Sequence, residues 1–146
     1  MDNLKICEYI WVDGNSPVKQ LRSKSKVIFL PDHPNINLFP YWNFDGSSTM
    51  QATGEDSDCV LKPINFTNNP FCKKGGYLVL CEVLNPDGSE HKSNSRAKLR
   101  KVLDSGGAKH QPWVGFEQEY TMFKHNVPLG WPEHGYPAPQ GPYYCG

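Results

Sequence analysis

The sequence predicts an α+β fold, in which short strands fill the first ninety residues, a single helix follows, and a further strand carries a pair of acids. Three observations support this reading. Apolar runs of strand length recur between loops rich in Pro, Gly and Asn. No stretch ahead of residue 90 sustains a helical period, whereas Asn94 to Leu103 does. From Trp113 to Met122, apolar and polar residues alternate with the period of a strand.

Taken in order, the predicted strands are Cys7–Val12, Lys24–Leu30, Cys59–Ile64 and Tyr77–Val83. The run Tyr77-Leu78-Val79-Leu80-Cys81 is apolar throughout, as a central strand buried on both faces should be, and Pro86-Asp87-Gly88-Ser89 supplies turn chemistry after it. Ala97, Leu99, Val102 and Leu103 interleave with Arg96, Lys98, Arg100 and Lys101. This is the pattern of a short amphipathic helix, capped by Ser93 or Asn94 and ended by Gly106-Gly107. Beyond Met122 the chain becomes a loop of aromatics, prolines and glycines. Trp131, Tyr143 and Tyr144 crowd its last residues, an arrangement expected of a cut chain more than of a finished domain end.

With 146 residues and 38% hydrophobic content, the chain can bury one core and begin a second. Fifteen basic and fifteen acidic side chains cancel, so neither nucleic acid nor an anionic membrane is an expected partner. No apolar run approaches the roughly 20 residues of a transmembrane helix, and the first residues lack a signal-peptide pattern. A cytoplasmic protein is expected. Cys7, Cys59, Cys72, Cys81 and Cys145 are odd in number and never spaced Cys-x-x-Cys, which argues against both a disulfide framework and structural zinc.

The chemistry concentrates at Glu117 and Glu119. A Glu-x-Glu on a strand sets two carboxylates on one face about 7 Å apart, room for two hard cations side by side. Val114, Phe116, Tyr120 and Met122 would then supply the buried side. Taken alone, such a pair is more often a solvated face, because exposed glutamates cost little. Asp45-Gly46-Ser47-Ser48 likewise reads first as a turn whose aspartate bonds its own backbone. His33, His91, His110, His125 and His134 show no metal spacing and read as loop residues. The tryptophans read as packing residues. Gly46-Ser47-Ser48-Thr49 lacks the lysine and the strand-to-helix setting of a phosphate-binding loop.

Four segments together are more specific: Tyr9-Ile10-Trp11-Val12-Asp13-Gly14, Tyr41-Trp42-Asn43-Phe44-Asp45-Gly46-Ser47-Ser48-Thr49, Trp113 to Tyr120, and Pro139 to Gly146. In this order they resemble the class II, eukaryotic-type glutamine synthetases. The resemblance runs from about Tyr9 to the last residue. It implies a β-grasp domain over residues 1–90 and, over 91–146, the beginning of the synthetase catalytic domain. It also implies glutamate, ammonium and ATP as substrates, γ-glutamyl phosphate as intermediate, and two Mg²⁺ or Mn²⁺ sites. Ring-stacked homo-oligomers, commonly decamers, would place active sites between adjacent subunits. Within that pattern Glu117 and Glu119 stand where metal ligands stand, Trp113 and Glu117 stand on the nucleotide side, and Asp45 matches the aspartate that reaches a neighbour's site to bind and deprotonate ammonium. Family enzymes are more than twice as long, so this chain by itself is not expected to make glutamine. An alternative is a non-catalytic, synthetase-derived module that binds or regulates full-length subunits.

Overall fold

The computed structural model describes residues 3–73 and 75–138. Seven strands and one α-helix occur among them: β1 (Asn3–Val12), β2 (Leu21–Leu30), β3 (Trp42–Asp45), β4 (Asp58–Asn68), β5 (Gly76–Leu84), α1 (Ser95–Asp104), β6 (Phe123–Lys124) and β7 (Val127–Pro128). Short 3₁₀ turns at Ile36–Leu38, Gly46–Thr49 and Gly107–His110 complete the set. The chain divides into two compact units between Gln111 and Pro112.

In the first unit, five strands form one mixed sheet in the order β2-β1-β5-β4-β3. β1 and β5 run parallel, and every other pair is antiparallel. The apolar run at Tyr77–Cys81 does lie on the central strand. Alternation along β1 turns Cys7, Tyr9 and Trp11 into the core, where Leu61 and Val79 from β4 and β5 are fully buried. Aromatic rings fill much of that face: Trp11 meets Phe44 at 4.7 Å, and Phe39 meets Phe66 at 4.8 Å and Tyr77 at 5.7 Å. The sheet curls until its two edge strands meet. Lys24 on β2 sits 3.6 Å from the centroid of the Trp42 ring on β3, and its ammonium donates to the Asn43 carbonyl at 2.8 Å.

The other face of β1 and β2 is open and mostly apolar, interrupted by the Glu8–Ser25 pair and by Ser23 opposite Ile10. Leu4 pairs with Phe29, Ile6 with Val27 and Val12 with Leu21, and all six side chains are exposed. In β4 the ladder register shifts between Pro63 and Asn65, where proline has no N–H to donate. Helix α1 starts as its sequence suggests: the Asn94 side chain accepts from the Ala97 amide at 3.0 Å. Only Ala97 is buried along it, so Leu99 and Val102, expected on a buried face, are exposed.

The second unit departs from expectation. The strand predicted over Trp113–Met122 does not form, and residues 111–122 carry no regular secondary structure. Alternation gives a segment two faces, but a strand needs a neighbouring ladder for its N–H and C=O groups, and this segment has none among the described residues. Val114, Phe116, Tyr120 and Met122 are therefore exposed rather than buried. The ladder of this unit starts only afterwards, as a hairpin of β6 and β7 turned by His125 and Asn126, both at positive φ. The segment Pro139 to Gly146, which carried part of the sequence resemblance, lies outside the described residues.

Candidate functional site

Asp45 ends β3 and caps the turn Gly46–Thr49. One of its oxygens, Oδ1, accepts from the Ser47 amide at 2.9 Å and from the Ser47 hydroxyl at 2.6 Å. The Ser47 hydroxyl bond and then the amide bond hold the Asp45 carboxyl below the usual carboxylate range. The group is exposed and anionic at neutral pH. It borders a cavity of about 320 Å³ shared with Trp11, Phe44, Ser48, Arg22 and Lys24. Both cations there have partners already, Lys24 at Asn43 and Arg22 at the Asp13 carboxylate 3.1 Å away.

The Asp13-Gly14 pair shapes the same corner. Asp13 is fully buried, and its carboxylate accepts from the amides of Asn15 and Gln20, the Asn15 side chain and Arg22. These bonds hold its carboxyl low against the opposing effect of burial, which is the largest single influence on it. Gly14 donates its N–H to the Thr49 carbonyl at 2.8 Å, and a Cβ here would strike the Met50 carbonyl. Only glycine lets the chain after β1 lie so close to the Asp45 loop. Gln51 and His91, both buried, lie beneath that loop. His91 is thus no ordinary loop residue, and no spacing signal marked either side chain, because their partners are some forty residues away in sequence.

Trp113, Glu117 and Glu119 belong to the second unit. All three are exposed, and Trp113 stands 99% open to solvent. Because the strand is absent, no ladder fixes the two carboxylates on one face. Carboxylate oxygens are the right donors for Mg²⁺ or Mn²⁺. Their number is short, since no group of three or more His, Cys, Asp or Glu among the described residues is placed to hold a metal ion. Glu117 and Glu119 can be two ligands of a metal centre; they do not constitute one.

The family model described as the β-grasp domain of glutamine synthetase matches residues 3–86, a span that takes in all five strands of the mixed sheet. The chain belongs to the glutamine synthetase family. It is similar to the glutamine synthetase of Streptomyces viridochromogenes, 51% identical over 139 residues, which are 95% of this chain and 40% of that protein. The glutamine synthetase of Rhizobium meliloti is 51% identical over 140 residues, again 95% and 40%. A chloroplastic glutamine synthetase of Chlamydomonas reinhardtii is 47% identical over 148 residues, 95% and 39%. The chain thus spans about 40% of the length of these relatives. The mixed sheet is the β-grasp domain of a glutamine synthetase, and the Glu-x-Glu segment lies outside the matched domain. No helix among the described residues is long and apolar enough to cross a membrane.

Proposed function

We propose that this chain is the amino-terminal part of a class II glutamine synthetase, the ligase that joins glutamate and ammonia at the expense of ATP through γ-glutamyl phosphate. The observation that carries this is the β-grasp match over residues 3–86, together with about half of the residues shared with synthetases across 95% of the chain. Residues 1–90 would form the β-grasp domain, and 91–146 would open the catalytic domain. The active unit is the assembled enzyme, a cytoplasmic ring of subunits. The open, mostly apolar face of β1 and β2 favours such an assembly, because exposed patches of that kind mark contact surfaces.

In this reading Glu117 and Glu119 each direct a carboxylate to one of two Mg²⁺ or Mn²⁺ ions, with Trp113 and Glu117 beside the nucleotide. Metal bound there would offset charge on the phosphate in transfer. Asp45 would act in a neighbouring subunit's site. Its depressed pKa suits it to hold ammonium by charge, while making it a reluctant proton acceptor as long as both Ser47 bonds persist.

The test is an ammonium titration of the complete enzyme carrying Asp45→Asn. KM for ammonium should rise at least about tenfold with KM for ATP unchanged, the size expected when a charged hydrogen-bond partner is lost. Equal losses for both substrates would refute the assignment. A second reading is a non-catalytic, synthetase-derived module that enters rings of full-length subunits. Co-elution with a full-length homologue accompanied by falling activity would favour it.

A further inference from the structure

The turn Gly46–Thr49 has little apolar anchorage of its own. Its residues are Gly, Ser, Ser and Thr, and the following Met50 is 67% exposed in a left-handed conformation with φ of 58°. Such a backbone persists in a non-glycine residue only where its surroundings determine it. Directional bonds do so here. Gln51, 2% exposed, accepts at Oε1 from the Trp11 indole at 3.2 Å and from the Thr49 hydroxyl at 2.8 Å. Its Nε2 donates to the Val12 carbonyl at 3.2 Å and to the Ser93 hydroxyl at 2.8 Å.

His91 closes the ring. Its Nδ1 accepts from the Ser93 amide at 3.1 Å, which places the proton of the neutral imidazole on Nε2, 2.6 Å from the Gln51 carbonyl. The Ser93 hydroxyl, accepting from Gln51, then donates to Nδ1 at 2.9 Å. Each of these donors and acceptors finds a partner in one proton arrangement. From Gln51 the constraint passes along the backbone, since the Gln51 and Ala52 amides both bond the Gly46 carbonyl, at 2.8 and 3.1 Å. Gly46 in turn follows Asp45 directly and donates to the Ser57 carbonyl at 2.7 Å.

We infer that Gln51 and His91 are positioning residues for Asp45, fixing its turn from beneath through the ring with Ser93 without touching the carboxylate. The consequence for catalysis rests on the role proposed above for Asp45; the coupling itself does not. A buried ring of polar bonds is directional where an apolar plug would not be, so it selects one loop geometry.

The test uses the chain itself, by hydrogen exchange and carbon-detected titration of the Asp45 carboxyl. His91→Ala should speed exchange at the Gly14, Gln51 and Ala52 amides about tenfold to a hundredfold, because a buried bond is lost and its partner orphaned. Amides of Leu61 and Val79 should be unaffected, and the Asp45 titration should move up toward an ordinary carboxylate. His91→Gln, which returns a donor toward the Gln51 carbonyl, should restore most of the protection. Ser93→Ala, a smaller change, should act in the same direction should His91→Ala not fold. Equal acceleration of loop and core amides, or an Asp45 titration that does not move, would overturn the inference. Loop loosening combined with an Asp45→Asn enzyme of unchanged ammonium dependence would uphold the coupling and refute the catalytic reading of Asp45.

Discussion

Asp45 carries a structural bond and, in the proposed reading, a chemical role as well. Its capping bonds to Ser47 depress its pKa in the folded chain, so they contribute above the ordinary carboxylate value and are lost as pH falls through the lower, folded one. Protection of the Gln51 amide should accordingly fall off below about pH 4, the ordinary range for Asp, as followed by exchange against pH. An acid profile identical in Asp45→Asn would count against it. Burial pushes the Cys7 thiol up to about 11 and the Cys81 thiol up to about 12, keeping both protonated at neutral pH. Thiol labelling resolved by peptide mapping should thus modify the partly exposed Cys72 ahead of Cys7, Cys59 and Cys81. Gly14→Ala should cost about 1–3 kcal/mol in denaturant unfolding, since its methyl group meets backbone rather than a movable side chain.

At the scale of elements, apolar runs of strand length between loops rich in Pro, Gly and Asn made most of the sheet legible. The four predicted strands lie within β1, β2, β4 and β5, each of which runs a few residues further at one or both ends, and Asn94 caps α1 as its position suggested. β3 escaped notice because it is four residues long and ends in turn chemistry, so its Trp42 and Phe44 look like isolated aromatics rather than a period. Trp113–Met122 shows the opposite error, a sound period with no ladder to join among the described residues. The polar ring under Asp45 was illegible for a third reason: Gln51 and His91 acquire meaning only when the curled sheet brings distant segments together. Burial by alternation predicts a sharp contrast between two leucines. Leu61→Ala, fully buried on β4, should cost about 2–5 kcal/mol, whereas Leu4→Ala, 60% exposed on β1, should stay near about 0.5 kcal/mol. Similar losses at both would mean that the open face is covered in solution.

For the whole molecule, the β-grasp sheet and the segment beyond Gln111 differ in what holds them. The first has an aromatic core and a five-stranded ladder; the second exposes Trp113, Phe116 and Tyr120 and, among its described residues, carries only a two-residue ladder. Limited proteolysis should cut first between residues 111 and 122 and leave the sheet intact, and a digest that spares this stretch would contradict the description. The metal-binding role proposed for Glu117 and Glu119 concerns a complete synthetase, and this chain spans about 40% of the length of its relatives. Manganese binding by that complete enzyme, followed by electron paramagnetic resonance, tests the central claim most directly. Glu117→Ala and Glu119→Ala should each remove one of two bound ions per subunit, with the unfolding of the β-grasp domain unchanged. Two ions retained in both variants would contradict the account.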